Sequence, residues 1–502
     1  MAKKYSLKFW ILFWGCATLF LVGWFVYWEG RNHGVGSLVS SAISYFPFDE
    51  NQKKEYQAIS MVADYLMRSD DQPKKILLLF QNNLELRPGG GFIGAFGIVT
   101  ILNGKVMSIQ THDVSNFDER IPDTVKPPYP MEQTLRISSW KLRDSNYSPD
   151  FETNAKKAEE FYRMGGGQEQ FDAVIGLTTN VLTSMLKITG PIQIEGYPGT
   201  YDSENAIISL EYQVEKAFEQ QGISRADRKS IMTELAQEIE KRTAHFSVSQ
   251  KIAMAKILLE DLNSKDIQLY FHDEQMQKFI KKSSWAGEIN RDYENDYLMM
   301  VDANLGAFKS DYYVQRSIEY TVDFSADRPQ AHLRITYNHT AETKDWMTKD
   351  YLTYLRVYVP EGSWLSDAKN FDNVQYADDL GKRCFGAIVR VPIGSQKTVE
   401  LNYTLPEKIT EQKYALLLQK QAGVKNLPLT IHIIGKEGTR KDVSRLLDGN
   451  FILRDGIEYF FNNALVMNQE TAIIATPEVN TLYKLHREDF LYDGYYATWR
   501  NY

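Results

Sequence analysis

The sequence predicts an N-terminal transmembrane helix, then an α/β domain, then a C-terminal antiparallel β-sandwich. Three observations carry that expectation. An uncharged apolar run, Phe9–Trp28, lies close to the start of the chain. Strand-like and helical patterns alternate from Pro73 to about Lys282, the signature of an α/β domain. After Asn304 the texture changes to short β-branched and aromatic runs broken by Gly and Pro, which points to a sandwich. The expected divisions are a cytoplasmic end at 1–8, a span at 9–28, a helical linker at 29–72, the α/β domain at 73–304, the sandwich at 305–440 and an extension at 441–502.

The run Phe9–Trp28 is long enough, at about 1.5 Å per residue, to cross a hydrocarbon core of roughly 30 Å. Lys3, Lys4 and Lys8 precede it, so the positive-inside rule puts the N-terminus in the cytoplasm and the bulk of the chain outside. Trp10, Trp14, Trp24, Tyr27 and Trp28 supply aromatic residues at both interfaces. A cleaved signal peptide would end in a small-x-small site, and Val26-Tyr27-Trp28-Glu29 is a poor one. The expected location is therefore the cell membrane, as a single-pass protein with an extracytoplasmic body.

Beyond the span, Tyr56, Ile59, Met61, Val62 and Leu66 recur at helical spacing over Asp49–Arg68, and Pro73 ends that helix. Ile76–Phe80 is a short continuous apolar run, read as a buried central strand. Phe92–Leu102 and Val106–Gln110 are strand-like around Asn103-Gly104, a strong hairpin signal. A Pro-rich loop covers Pro122–Pro130. Helices are expected at Met131–Lys141, Thr153–Tyr162, Thr179–Lys187, Glu204–Gln220, Ser224–Arg242, Ser249–Ser264 and Glu274–Lys281. Strands are expected at Phe171–Leu177 and Ile192–Glu195. The sandwich strands are read at Tyr312–Asp323, Ala331–Tyr337, Leu352–Val359, Ala387–Val391, Thr398–Tyr403 and Leu429–Ile434.

Composition narrows the function. A net charge of −8 over 502 residues argues against a nucleic-acid binder, which needs clustered Lys and Arg to neutralise phosphates. Cys16 lies inside the expected span and Cys384 outside, so no disulfide joins them. There is no P-loop lysine, Rossmann fingerprint, HExxH, CxxC or GxSxG. The eight histidines lack ligand spacing. Asn338-His339-Thr340 and Asn402-Tyr403-Thr404 match the glycosylation triplet, a pattern common by chance.

Three polar clusters stand out. Arg87-Pro88-Gly89-Gly90-Gly91 lies between two expected strands, where glycine N–H groups could cradle an anion beside Arg87. The same residues would also suit a tight turn with a surface arginine. In Leu142–Asp150, Arg143 could meet an anion and Asp144 a cation, while the segment equally reads as an N-cap with Pro149 opening the next helix. In Ser224–Lys229, Ser224 and Asp227 have capping-box spacing. Arg225, Arg228 and Lys229 oppose the helix dipole there, unless an anion binds or the charges are simply solvated.

The segments FQNNLELRPGGGFIGAFG, LRDSNYSPDF, LTTNVLTSMLKITGPIQIEG, NLGAFKSDYYV and YALLLQKQAG resemble the bacterial envelope family catalogued as domain of unknown function 4012, from about Lys75 to Ile434. A weaker resemblance is to the LytR-CpsA-Psr phosphotransferases, which move a glycan from a polyprenyl pyrophosphate to the cell wall. ILLLF followed by Arg87 is similar to their first strand and its arginine. Thr111-His112-Asp113 stands where they carry Pro-Arg-Asp, so Asp113 matches and His112 replaces the arginine. Arg225-Ala226-Asp227-Arg228-Lys229 resembles their late Asp-x-x-Arg-x-x-Arg-Gln helix start. Their Arg-Ser-Asp is Arg87-Pro88-Gly89 here, one acidic ligand fewer.

That resemblance implies a mixed sheet with flanking helices and a protein that binds a lipid-linked pyrophosphate and transfers its glycan. Arg87, Arg143, Arg225 and Arg228, with Gly89, Gly90 and Gly91, would hold phosphate oxygens. Asp113 and Asp144 would hold magnesium, and Asp113 and Arg143 would be catalytic. The alternative is a non-enzymatic surface protein whose sandwich binds wall glycan or protein partners.

Overall fold

The computed structural model describes residues 50–461, apart from 69–71, 225–227, 229, 448–449 and 455–456. The expected span Phe9–Trp28 and residues 462–502 lie outside the described residues. Among the described residues no helix is long and apolar enough to cross a membrane. The architecture is mixed α/β, with several sheets and flanking helices. The chain divides into two compact units: residues up to 76 with 98–110, and residues 77–97 with those from 111 onward.

The first unit contains the helix Glu50–Met67, close to the expected bounds. It also holds the turn Asn103-Gly104, whose φ angles of 51° and 71° are the left-handed pair a two-residue hairpin requires. That turn joins β2 (Phe92–Leu102) to β3 (Lys105–Asp113).

The first sheet runs β3-β2-β1-β4-β5, with β1 at Lys74–Asn82, β4 at Ala173–Thr178 and β5 at Ile267–Phe271. β1 is central, as its continuous apolar run implies. The second unit supplies the flanking helices. Phe151–Met164, Val248–Asn263 and Glu274–Lys282 contact β5, and Thr179–Thr189 contacts β4. Each of the first three begins at a side chain that accepts a backbone N–H, namely Asp150, Ser247 and Asp273.

Several local expectations need correction. The helix at Met131 stops at Leu135, because Arg136 turns left-handed with φ 55°. Ile192 forms only an isolated bridge with Tyr201, not a strand. The helix expected from Ser224 is described from Ser230, with Arg228 in a turn before it. The capping box lies instead at Ser247 and Gln250.

Two further sheets use every later strand among the described residues. The seven-stranded sheet runs β11-β12-β9-β6-β14-β17-β18 and the six-stranded sheet β10-β13-β8-β7-β15-β16. Their ranges in chain order are β6 Asp296–Asn304, β7 Val314–Asp323, β8 Gln330–His339, β9 Tyr351–Pro360, β10 Trp364–Lys369, β11 Gln375–Asp379, β12 Lys382–Val391 and β13 Gln396–Thr404. β14 Ala415–Gln419, β15 Leu427–Ile434, β16 Arg440–Leu447, β17 Asn450–Arg454 and β18 Ile457–Phe461 complete them. The sheets are mixed rather than wholly antiparallel, because β14 runs parallel to β6 and β15 parallel to β7. The division drawn at 304 also separates β6 from its partners: β6 pairs with β9 and β14.

One apolar core joins the two sheets. Leu298 of β6 and Val357 of β9 meet Ile318 of β7, Leu333 and Ile335 of β8 and Val399 of β13. Each fully buried side chain of this kind contributes roughly 1.5–3 kcal/mol. Along β8 the alternation is strict: Ala331, Leu333, Ile335 and Tyr337 are buried, while His332, Arg334, Thr336 and Asn338 take the other face and are half-buried.

Among the described residues Asp296, bonded to two tyrosines of that core, has no cation as a partner. Asp296 is fully buried, and its Oδ2 accepts from the hydroxyls of Tyr320 at 2.9 Å and Tyr414 at 2.7 Å. Burial pushes its pKa up from 3.8 to about 7, against those two bonds and the Tyr297 backbone N–H. A raised carboxyl pKa stabilises the fold fully below its unfolded value. That contribution is lost as pH rises through the folded value, because the unfolded chain ionises first. Between pH 4 and 7 the wild type should therefore lose stability on the order of a few kcal/mol relative to Asp296→Asn. Denaturant unfolding of both proteins across that range measures the difference, and parallel pH curves would rule it out.

Candidate functional site

The segment between β1 and β2 runs through the interior. Arg87 is only 2% exposed. Its Nε donates to Asp144 Oδ1 at 2.9 Å, Nη2 to Glu85 Oε1 at 2.9 Å and Nη1 to the Asn304 carbonyl at 2.6 Å. Burial alone would lower the guanidinium pKa, but Asp144 and Glu85 raise it instead. Burial pushes the Glu85 carboxyl up, although Arg87 and Lys309 oppose that. A second arginine continues the network. Arg316 bonds Asp302 Oδ2 at 2.7 Å, the Tyr351 hydroxyl at 2.6 Å and Asp311. Asp311 also accepts the Leu86 backbone N–H at 2.9 Å and Asn304 Nδ2 at 2.7 Å.

The glycines serve this close packing. Gly89 N–H donates to the Asn146 carbonyl at 3.0 Å and Gly90 N–H to the Arg87 carbonyl at 2.9 Å. A Cβ on Gly89 would lie 2.5 Å from Asn154 Nδ2, and one on Gly91 2.4 Å from the Asn82 backbone. All three are buried. The turn they form is pressed into the protein rather than held out to solvent.

The remaining expected residues are placed separately. Asp113 caps the short helix Val114–Asp118 by accepting the Ser115 N–H at 2.7 Å. His112 stacks on Phe96, and burial followed by the charge of Arg120 lowers its pKa. Arg143 Nε is 2.5 Å from Asp118 Oδ2, a buried carboxylate. Arg228 lies 3.8 Å from Glu215, and Arg225 lies outside the described residues. Among the described residues no group of three or more His, Cys, Asp and Glu side chains is placed to hold a metal ion. The magnesium expected at Asp113 and Asp144 thus finds one carboxylate capping a helix and the other bonded to Arg87.

A different site lies within the second unit: a cleft of about 640 Å³. Six amide side chains line it, Asn83, Asn180, Gln315, Asn338, Gln396 and Asn426, together with Lys425. Strand register makes three of them a row, because Asn338 of β8 stands opposite both Gln315 of β7 and Gln396 of β13. Two residues along, Ser317, Thr336 and Thr398 form a hydroxyl row, with Thr336 and Thr398 bonded at 2.9 Å. The next row is charged, with Arg334 between Glu319 at 2.8 Å and Glu400 at 3.2 Å.

Beside the amides, Lys425 Nζ lies 3.3 Å from Asp266 Oδ2. Asp266 is fully buried and accepts from Thr178 Oγ1 at 2.6 Å, Asn180 Nδ2 at 2.8 Å and Ser264 Oγ at 2.9 Å. Burial would raise its pKa, yet Lys425 and Lys420 hold it below the ordinary value. Nearby, burial pushes Asp261 up to about 7 and Lys265 down to about 7. An amide donates and accepts from one planar group. A wall of amides and hydroxyls therefore suits a ligand that does both, such as a polyhydroxylated chain.

Sequence reading did not single out this cleft. Asn338 drew notice only through its glycosylation triplet. The available signal was the polar half of the alternation in β7, β8 and β13, which shows the face but not that neighbouring loops close over it.

Residues 71–214 match the family model described as "Protein of unknown function (DUF4012)". The resemblance read from the sequence is shown over that stretch, which includes Asn83 and Asn180. Two solved structures are similar over part of the chain. The Lin1025 protein from Listeria innocua is 12% identical, with 43% of this chain and 80% of that one covered at a TM-score of 0.24. The transcriptional regulator yvhJ from Bacillus subtilis is 13% identical, with 42% and 95% covered at a TM-score of 0.23. No curated protein matches the chain.

The placement of Arg87 generates a prediction. Arg87→Met leaves Glu85 and Asp144 buried without their cation, which costs about 3–5 kcal/mol. Urea unfolding at neutral pH should show a correspondingly lower midpoint. An unchanged midpoint would mean that Arg87 is free of these internal bonds and available to a ligand.

Proposed function

We propose that this chain is an envelope protein that binds a wall oligosaccharide in the amide-lined cleft without transferring it. The span Phe9–Trp28 tethers it in the membrane with the N-terminus in the cytoplasm and the cleft outside. The row Gln315–Asn338–Gln396 is the observation that carries this reading. Hydroxyl groups alternate as donors and acceptors, and amides meet them in both senses. Each such bond is worth about 0.5–1.5 kcal/mol net, so several in a row are needed for useful affinity. A volume of about 640 Å³ accommodates a few sugar residues of a longer chain.

Binding without transfer is favoured by the state of the arginines. Phosphoryl transfer from a pyrophosphate needs positive charge aimed at the ligand. Arg87 and Arg143 have carboxylate partners within the protein, and Arg228 faces Glu215. The cations that line the cleft are paired in the same way, Lys425 with Asp266 and Arg316 with Asp302 and Asp311, so the cleft offers a ligand amides and hydroxyls.

Calorimetry on the full chain in detergent, titrated with soluble peptidoglycan fragments, tests the proposal. The wild type should give saturable heat. Asn338→Ala should weaken binding roughly three- to tenfold, the loss of about one hydrogen bond. Absence of heat in the wild type, or equal affinity in the variant, would remove the cleft as a glycan site. Release of a polyprenyl phosphate from a lipid-linked glycan would restore the transfer reading.

A further inference from the structure

Trp364 and Tyr376 are among the most exposed large side chains described, at 65% and 62%. Their ring centroids lie 6.4 Å apart with the planes tilted by 49°. They sit on β10 and β11, strands consecutive in the chain that form the outer edge of the six-stranded and the seven-stranded sheet respectively. Exposed aromatic surface of this size is unfavourable in water unless something covers it, so a pair placed together points to a contact.

The surroundings select the partner. Open strand edges attract another strand, and these two carry the devices that prevent it. β10 has a register shift between Leu365 and Asp367 and ends in Lys369, which pairs with Glu400. β11 is exposed along its whole length and closes on Asp378 and Asp379. A protein strand would meet a bulge on β10 and charged side chains on both strands. Polar side chains share these strands with the two rings: Asp378 on β11, two residues from Tyr376, and Ser366 on β10 are both exposed. The Arg383 guanidinium lies 5.8 Å from the Tyr376 ring centre and 2.8 Å from Asp378 Oδ1. A pyranose has an apolar face of C–H groups and a rim of hydroxyls. It therefore fits flat rings with a guanidinium and its carboxylate partner beside them.

We propose that Trp364 and Tyr376 form a stacking platform for a sugar ring, separate from the amide-lined cleft. The two sites together would let one protein hold a glycan chain at two points, or two chains at once. The platform stands on its own observations and does not need the cleft to bind sugar.

The test is tryptophan emission of the full chain in detergent, titrated with the tetramer of N-acetylglucosamine and separately with cellotetraose. At least one should give a saturable change in the wild type. Trp364→Ala, at an exposed position that preserves the fold by circular dichroism, should abolish it. Tyr376→Ala should weaken the apparent affinity fivefold or more, and Trp364→Tyr should restore binding, read by calorimetry. Asn338→Ala should leave the emission change intact. No change with either sugar would overturn the proposal, as would a change that survives Trp364→Ala. Loss of the signal in Asn338→Ala would put the sugar in the cleft and overturn the separate platform. Self-association of the wild type that Trp364→Ala dissolves would assign the pair to a protein interface and overturn it likewise.

Discussion

Two buried guanidiniums, each set between two carboxylates, are the constraint that the second unit is built around. Arg87 joins Glu85 and Asp144, and Arg316 joins Asp302 and Asp311. Removing such charges from water costs several kcal/mol per ion, so the arrangement persists only if every donor is met. Here the surplus donors reach main chain: Arg87 Nη1 bonds the Asn304 carbonyl, and Arg316 Nη1 the Val314 carbonyl at 3.1 Å. Gln421 ties the same place from a third direction. Its Nε2 donates to the carbonyls of Arg87 and Asp302, while its Oε1 accepts the Asp302 N–H. The loop after β1, the end of β6, the start of β7 and the end of β14 are thereby held to one another by polar bonds.

The part of this that sequence could reveal follows from distance along the chain. β2 was legible to the residue, because its bounds are marked by a glycine-rich turn and Asn103-Gly104. β7, β8 and β13 were legible because one face is apolar and the other polar. β5, β6 and β14 were not, since IQLYF, DYLMMVDAN and ALLLQ are buried on both faces and show no alternation. The parallel pairs β6–β14 and β7–β15 join segments more than a hundred residues apart, which no local pattern encodes. Arg87 illustrates the limit at a single side chain. A glycine-rich turn beside an arginine describes an anion cradle and an internal ion pair equally well, and what decides is Asp144, 57 positions away.

The cleft has the same dependence on distant partners. Thr178 ends β4, Asn180 follows it, Ser264 precedes β5 and Lys425 comes from the loop before β15, yet all four converge on the buried carboxylate of Asp266. Those bonds hold Asn180 beside Lys425 before any ligand arrives. Groups held in this way lose little conformational freedom on binding, which is where affinity is usually lost.

Register links the buried arginines to the surface that faces the ligand. A slip of one residue in β8 would turn Leu333, Ile335 and Tyr337 outward and carry Arg334, Thr336 and Asn338 into the core. Tyr337 resists that slip twice. It stands opposite Arg316 in the β7–β8 pairing, and its hydroxyl donates to Asp302 Oδ1 at 3.0 Å across the space between the sheets. Asp302 is in turn held by Arg316 and by Thr353 Oγ1 at 2.9 Å. The next residue after Tyr337 is Asn338, the centre of the amide row. A tyrosine fixed to a buried ion pair thus sets the residue that follows it on the opposite face, so the ionic interior determines which side chains the cleft displays.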